Sequence, residues 1–197
     1  MPHLLLNIDM QNRNALVVGG GKVARRKINT LLASGACVRV VSPAAVPDIV
    51  QLAASGAISV REGCYCPSDL EGIFLVVAAT DNAAVNSQIV VDAMRHNVLV
   101  AVADAPETGN CRFPAILRRG KLEIGVSTGG LCPAFAVQVK VLLGKIIGES
   151  YGEALEELIF EREKLLTERN DSTYNKKLLN SLAERLLKEL QKNKEIP

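Results

Sequence analysis

Three small residues near the N-terminus have the spacing of a phosphate-binding turn. Gly19, Gly21 and Ala24 fit the pattern G-x-G-x-x-A, between the apolar run "NALVV" and a helical pattern. In such a turn the first glycine permits a tight bend and the second lets a pyrophosphate approach the backbone, while the small third residue lets helix and strand pack closely. The pyrophosphate would lie on the free N–H groups of a helix that begins near Lys22. The spacing predicts a dinucleotide site, and a glycine turn without a ligand is the alternative.

The next apolar run, "CVRVV", ends without the acidic residue that commonly binds the adenosine ribose. Ser42 and Pro43 stand there instead. The Ser42 hydroxyl and neighbouring backbone groups are candidates to hold the ribose. No arginine follows this run to favour a 2′-phosphate, although Arg25 and Arg26 are near in sequence. The residues therefore leave the choice between NAD and NADP open.

An aspartate follows a later apolar run. Asp104 comes after "VLVAVA", where the carboxyl end of a strand would bring it to the ligand-binding edge of a parallel sheet. A carboxylate in that place can act as a general base or acid, and the alternative is that Asp104 forms a turn before Ala105-Pro106. Basic residues that follow it could bind an anionic substrate. They are Arg112, Arg118, Arg119, Lys121 and Lys140.

Six short apolar runs predict the elements that position these residues. They are rich in Val, Ile and Leu and alternate little, as strands do when both their faces are covered. They occupy residues 15–18, 37–41, 58–60, 73–78, 98–102 and 122–126. Helical patterns lie between several of them, so we expect an α/β fold with a Rossmann-like, mainly parallel sheet.

Two of the helical patterns define apolar faces. The first face consists of Ala24, Ile28, Leu31 and Leu32, and Gly35 is expected to end that helix with a left-handed cap. The second face consists of Val85, Ile89 and Met94.

The last quarter of the chain differs in composition. Charged, helical spacing fills residues 146–197 and is interrupted at Asn170-Asp171-Ser172, where Asp171 or Ser172 is a candidate N-cap. The pattern predicts a small helical domain, with a solvated coiled hairpin as the alternative. Before it, we expect a strand, a turn at Gly129-Gly130 and a helix with Pro133 in its first turn.

Composition narrows the class of protein. The 197 residues are 48% apolar and carry a net charge of +2, which gives no indication of nucleic-acid binding. No apolar run approaches the roughly 18 residues of a membrane span. The N-terminus lacks the basic region of a signal peptide, so we expect a cytoplasmic protein.

The cysteines and histidines do not predict a metal site. Five scattered cysteines argue against a disulfide framework. Cys64 and Cys66 form C-x-C, but no matching pair follows, and His3 and His96 lie elsewhere in the sequence. His96 is expected to be a surface residue at a helix end.

Several segments taken together resemble one known family. "VVGGGKVARRK", "VVSP" and "VVAATDNAAVN" are followed by "VAVADAPETGNCRFPAILRRGKLEIGVSTGGLCPAFA". This succession is similar to the siroheme synthase N-terminal family, the precorrin-2 dehydrogenases, some of which are also sirohydrochlorin ferrochelatases. The similarity covers about residues 4–143, while the tail matches only in character. The methyltransferase domain fused to some members has no counterpart, so methylation of uroporphyrinogen is not expected.

The resemblance implies an organisation and a cofactor. It implies an NAD-binding domain in residues 1–113, a dimerisation segment in 114–145 and a helical domain in 146–197. It further implies a homodimer whose central segments cross over, with NAD⁺ as the oxidant of precorrin-2. By the same resemblance the site residues are Gly21, Lys22, Val23, Ser42, Pro43 and Ala44 for pyrophosphate and ribose, Thr80 and Asp81 at the cofactor cleft, and Asp104 as the functional aspartate. Thr128 stands where some relatives carry a phosphorylatable serine.

Two alternatives to a simple dehydrogenase stay open. A bifunctional enzyme would also insert Fe²⁺ or Co²⁺ into sirohydrochlorin, with one acidic side chain accepting the protons that the macrocycle releases. A non-catalytic NAD(H)-sensing module would bind the dinucleotide and contact a partner through its helical tail.

Overall fold

The computed structural model describes residues 4–168 and 172–192. The chain forms two compact units, Met1–Phe113 and Pro114–Pro197. In the described part of the chain, no helix combines the length and apolar character that a transmembrane span requires. The cytoplasmic location stays a prediction.

The first unit is built on a parallel five-stranded sheet. The order of its strands is β3-β2-β1-β4-β5. The bounds are β1 Asn14–Val18, β2 Cys37–Ser42, β3 Ser59–Glu62, β4 Leu75–Ala78 and β5 Leu99–Val102. This is the order of a dinucleotide-binding fold, with a switch point between β1 and β4, where successive connections leave in opposite directions. The predicted Rossmann-like α/β class is confirmed.

Helices cover both faces of this sheet. They are α1 Lys22–Leu32, α2 Pro47–Ala54 and α3 Ala83–Arg95, and a short 3-10 turn spans Pro67–Leu70. Along β1, Ala15 and Val17 pack into a core with α1 and α2, whereas Leu16 and Val18 pack into a second core with α3. Successive side chains of a strand point to opposite faces, so a strand between two cores must be apolar at every position.

The first predicted helix has the expected face and end. Ala24 and Ile28 are fully buried, Leu31 is nearly so, and Leu32 packs against the same core. Gly35 has a φ of +76°, the left-handed conformation that glycine adopts without strain. The Ala36 amide donates to the Leu31 carbonyl at 3.1 Å, which closes the end of α1.

The predicted face of α3 is right at Ile89, which is fully buried, and at Val85, which packs partly buried against the second core, but it is wrong at Met94. Met94 is 48% exposed, whereas Val90 and Ala93 are buried beside Ile89. The buried stripe begins at Asn86, which is only 3% exposed. A polar residue thus holds the first position of the stripe, and an apolar pattern alone does not indicate such a position.

The second unit pairs a hairpin with helices. Its elements are β6 Ala115–Arg119, β7 Leu122–Val126, α4 Pro133–Ile146, α5 Ser150–Glu168 and α6 Ser172–Lys192. The strands are antiparallel, α4 and α5 pack on them, and α6 packs on α5. Gly129 and Gly130 have positive φ before Pro133, which opens α4 as predicted. Ser172 begins α6, whereas the other candidate cap, Asp171, lies outside the described residues.

Candidate functional site

A cleft of about 740 Å³ opens at the carboxyl edge of the parallel sheet. It lies at the switch point, where ligands bind in folds of this kind. Every residue predicted to contact the cofactor lines it, and so does Asp104. The predicted residues are Gly19, Gly21, Lys22, Val23, Ser42, Pro43, Ala44, Thr80 and Asp81. Gly20, Cys64, Tyr65, Asn82 and Val85 also line the cleft and were not predicted.

The three consecutive glycines meet different constraints. A Cβ at Gly19, where φ is +125°, would lie 2.3 Å from the Ala79 carbonyl oxygen. A Cβ at Gly20 would lie 1.9 Å from the Ala44 oxygen. At Gly21 a Cβ would meet no other described atom within 4 Å. The first two glycines therefore allow the backbone to pack, and only Gly21 faces open space in the cleft.

The start of α1 is suited to an anion. Gly21 is its N-cap, so no side chain caps the helix, and the first turn contains no acidic residue. The first amides of a helix have no partner within it, and the helix dipole is positive there. The Lys22 side chain adds a positive charge beside them. This end of α1 can therefore bind a phosphate or pyrophosphate group.

The loop after β2 is held together internally. The Ser42 hydroxyl donates to the Ala44 carbonyl at 2.6 Å, and the Val46 amide donates to the Gly20 carbonyl at 2.9 Å. Ser42 is buried, whereas Pro43 and Ala44 are exposed. With its proton committed to Ala44, the Ser42 oxygen can serve a ribose only as an acceptor.

The end of β4 leads directly into a capped helix. The Asn82 side chain accepts from the amides of Ala84 and Val85 at 3.0 and 3.3 Å, so it caps α3. The Thr80 hydroxyl accepts from the Asn82 amide at 3.2 Å. The loop that would contact the cofactor is therefore well ordered by its own residues.

Asp104 is exposed at the end of β5. Its two carboxylate oxygens lie 3.2 and 3.4 Å from Asn86 Nδ2, which donates to them. The turn that follows is closed by Thr108, whose amide and hydroxyl donate to the Ala105 carbonyl at 3.0 and 2.8 Å. The carboxylate is thus directed toward Asn86 and does not close this turn.

Asn86 was missed by the sequence analysis. It belongs to the "ATDNAAVN" segment, but its role depends on Asp104, 18 residues further along the chain. The available signal was an asparagine at a core position of a helix, where an amide needs buried partners.

Tyr65 is a second residue lining the cleft that no sequence pattern indicated. Its hydroxyl donates to Asp92 Oδ2 on α3 at 3.2 Å. Burial, followed by the negative charge of Asp92, raises the pKa of Tyr65 well above its usual value. The protonated hydroxyl therefore connects residues 63–65, which line the cleft, to α3.

The candidate substrate-binding cations divide between the two units. Arg112 belongs to the first unit, and the others, Arg118, Arg119 and Lys140, belong to the second. The Arg118 Nε lies 2.6 Å from Glu123 Oε1, and both side chains are about half exposed. The Arg119 guanidinium donates to the carbonyls of Ile147 and Gly144 at 2.8 and 3.2 Å. Arg119 thereby stabilises the C-terminus of α4, while its binding of a substrate stays a prediction.

Comparison with known proteins agrees with the site's position in the chain. Residues 6–115 match a family described as putative NAD(P)-binding. A siroheme synthase from Chromobacterium violaceum is 39% identical over 145 residues, covering 74% of this chain and 31% of that protein. One from Pseudomonas entomophila is 40% identical over 153 residues, covering 78% of this chain and 33% of that protein. The chain spans about a third of the length of these relatives.

A solved structure covers nearly the whole chain. SirC, a precorrin-2 dehydrogenase, superimposes with a TM-score of 0.79 at 28% sequence identity. The match includes 96% of this chain and 100% of SirC. It therefore includes the helical tail as well as the dinucleotide-binding unit.

Proposed function

The chain belongs to the siroheme synthase N-terminal family of putative NAD(P)-binding proteins, and on that premise we propose that it oxidises precorrin-2 to sirohydrochlorin with NAD⁺. Family membership makes a nicotinamide dinucleotide the class of cofactor. The observation that carries the proposal is a single cleft lined by the anion-binding end of α1, the Thr80–Asp81 loop and Asp104. The full-length match to SirC supports the substrate.

The reaction removes two hydrogen atoms from precorrin-2, one as a hydride and one as a proton. A C–H bond of the macrocycle breaks with its electron pair, and NAD⁺ supplies the hydride acceptor, becoming NADH. A proton leaves a neighbouring position, and the electrons of that bond extend the conjugation of the ring. We assign Asp104 as the base that takes this proton, because it combines an exposed carboxylate with a place in the cleft.

NAD⁺ is expected to bind at least about tenfold more tightly than NADP⁺, because the 2′-phosphate of NADP⁺ would gain no charge-assisted hydrogen bond in the cleft. Among the described residues that line the cleft, Lys22 alone is basic, and we assign it to the pyrophosphate. The Nε atom of the nearby Arg25 lies 3.7 Å from Asp48 Oδ2, so this guanidinium already has an ionic partner. Titration of the protein with each dinucleotide, followed by calorimetry, measures the ratio. Pro43→Arg should bring the affinities for NAD⁺ and NADP⁺ closer together. If the unchanged protein bound both dinucleotides equally tightly, this assignment would be contradicted.

The negative charge of the substrate calls for basic residues near the reaction site. Precorrin-2 carries eight carboxylates, and we assign Arg112, Arg118, Arg119 and Lys140 to their recognition. Arg118 supports this assignment best, because an ion pair between two half-exposed side chains contributes little and is readily exchanged. Arg119 is 19% exposed and already engaged by backbone carbonyls, so its contribution would be mainly to hold the hairpin against α4.

A homodimer is the assembly that we propose, with α4 at its interface. Large apolar side chains are exposed on this helix and just before it. They are Leu131, Phe135, Val137, Val141, Leu142 and Ile146, with exposed fractions between 44% and 77%. An exposed apolar surface of this kind marks an interaction site in a folded protein. Pairing with a second copy would bury it.

Light scattering during gel filtration should therefore give about 42 kDa, twice the 21.1 kDa of one chain. Phe135→Glu places a charge in the apolar surface and should shift the mass to that of a monomer. Val50→Glu is the matched control, because Val50 is 56% exposed on α2 of the first unit. A monomer at micromolar concentration with full activity would contradict the proposed dimer.

An anaerobic assay tests the activity directly. Precorrin-2 and NAD⁺ are mixed with the protein, and the absorbance of sirohydrochlorin and of NADH is followed together. Equal amounts of both products support the dehydrogenase, whereas dinucleotide binding without turnover would indicate a sensing module. Repeating the assay with Fe²⁺ or Co²⁺ distinguishes a dehydrogenase from a bifunctional enzyme that also inserts metal.

A further inference from the structure

Asn86 makes an unusually complete set of contacts for a side chain in a helix core. It lies in the first turn of α3 and is 3% exposed. Apart from Asp92, the other buried residues of that helix are apolar, namely Ile89, Val90 and Ala93. Burying an amide among apolar groups is costly unless its donors and acceptor are satisfied. The contacts of Asn86 must therefore compensate for its presence there.

These contacts join the ends of two neighbouring strands. Asn86 Oδ1 accepts from the Thr80 hydroxyl at 2.7 Å and from the Thr80 amide at 3.3 Å. Asn86 Nδ2 donates to the Thr80 carbonyl at 3.1 Å and to the Asp104 carboxylate at 3.2 Å. Thr80 follows β4 and Asp104 follows β5, so one buried amide connects the cofactor loop to the carboxylate.

The orientation of the amide is determined by its partners. A backbone N–H can only donate, so the Thr80 amide requires Oδ1 on its side of Asn86. Rotating the amide by half a turn would set its NH₂ group against that N–H and its oxygen against the Asp104 oxygens. Both contacts would then be repulsive. Asn86 therefore presents a donor, and not an acceptor, to Asp104.

This donor constrains an otherwise exposed carboxylate. Nδ2 lies at similar distances from both oxygens, 3.2 and 3.4 Å, so it holds the group without occupying all its lone pairs. An ionised carboxylate has about four acceptor positions, and the others remain for a proton. We propose that Asn86 is a positioning residue that holds the Asp104 carboxylate in place beside the cofactor loop. The inference rests on the proposed function, in which Asp104 is the base.

The variant Asn86→Asp tests this role. It keeps the size of the side chain and an oxygen for the amide and hydroxyl of Thr80, but it replaces the donor to Asp104 and to the Thr80 carbonyl by an oxygen. We expect kcat to fall about 10–100-fold, as a small misplacement of a reacting group can cause. KM for precorrin-2 should change by no more than about twofold, since the residues assigned to bind the substrate are untouched. An unchanged kcat in this folded variant would overturn the inference.

Asn110→Asp is the matched control. The Asn110 side chain also bridges backbone groups, accepting from the Val100 amide at 2.7 Å and donating to the Val98 carbonyl at 3.2 Å. It does not line the cleft. Its change should lower the melting temperature and leave kcat unaltered. If Asn110→Asp lowered kcat as much as Asn86→Asp does, general loss of order would explain both, and the inference would fail.

A double variant tests whether Asn86 acts through Asp104. Asn86→Asp combined with Asp104→Asn exchanges donor and acceptor, so the pair can hydrogen-bond again. We expect its melting temperature to exceed that of Asn86→Asp, while its kcat equals that of Asp104→Asn alone. A further tenfold loss of kcat in the double variant would show an independent role and overturn the inference.

Two results separate this inference from the assignment of the base. If Asp104→Asn retains full kcat, Asp104 is not the base, and there is no base for Asn86 to position. If Asp104→Asn loses kcat while Asn86→Asp retains it, Asp104 is still the base and only the role of Asn86 is overturned. Should Asn86→Asp fail to fold, Asn86→Ala takes its place, because it removes the donor without adding a charge. A roughly tenfold lower kcat in that variant supports the inference and an unchanged kcat overturns it.

Discussion

Asp104→Asn is expected to lower kcat for precorrin-2 oxidation by about 10²–10⁴-fold, the usual contribution of a general base. The amide has nearly the shape of the carboxylate, and its oxygen can still accept from Asn86 Nδ2. The fold and the affinity for NAD⁺ should therefore be retained. What is lost is the ability to take a proton, which an amide does not have at neutral pH. Steady-state kinetics with precorrin-2 measure kcat, and a thermal melt of the same sample measures whether the fold is retained.

The connection after β5 provides a control for this change. Glu107 is exposed there, close to Asp104 in sequence, and does not line the cleft. Glu107→Gln removes the same charge and should leave kcat within about twofold, as surface substitutions usually do. A folded Asp104→Asn variant that binds NAD⁺ and retains full kcat would show that the carboxylate serves only the loop.

The parallel sheet could be predicted because its physical demands are strong. A strand between two cores is apolar along its buried length, and β1 and β4 are buried at every position except Asn14. Two elements were not predicted. Helix α2 buries only Ile49, and β6 buries only Leu117.

The cleft was predictable to the extent that its residues follow strand ends. Parallel strands bring their carboxyl ends to one edge, so Gly21, Ser42, Thr80 and Asp104 could be expected to meet there. Asn86 could not, because its role comes from contacts with Thr80 and Asp104 that only the packing of α3 creates. Its assignment required the tertiary structure.

Gly20 was also missed, and the reason is similar. A motif of spaced glycines assigns importance to Gly19 and Gly21 and passes over the residue between them. The structure shows that the loop after β2 packs directly on Gly20, with a Cβ there placed 2.7 Å from the Ser42 hydroxyl. The motif describes what the ligand requires, whereas Gly20 is required by the protein itself.

The contrast between these glycines makes Gly21→Asp a sharp test of cofactor binding. Gly21 has a φ of −88° and a ψ of −174°, which any residue adopts at an N-cap. Aspartate is a preferred N-cap, and its carboxylate can accept from the first amides of α1. The melting temperature should therefore be unchanged or slightly higher. NAD⁺ affinity should fall at least about 100-fold, because a negative charge would lie where the pyrophosphate binds, and two charges about 4 Å apart repel by several kcal/mol near a protein surface.

Two further variants separate this charge effect from a general disturbance of the turn. Gly21→Ser supplies an N-cap without charge and should weaken NAD⁺ binding far less than Gly21→Asp does. Gly20→Ala should do the reverse of Gly21→Asp, since its methyl group would overlap the Ala44 carbonyl and force the turn apart. We therefore expect Gly20→Ala to lower the melting temperature, whereas Gly21→Asp keeps it and loses the ligand. Calorimetric titration with NAD⁺ beside a thermal melt of each variant gives both quantities. If Gly21→Asp binds NAD⁺ as tightly as the unchanged protein, the dinucleotide does not lie on the N-terminus of α1, and the assignment of this cleft to the cofactor is wrong.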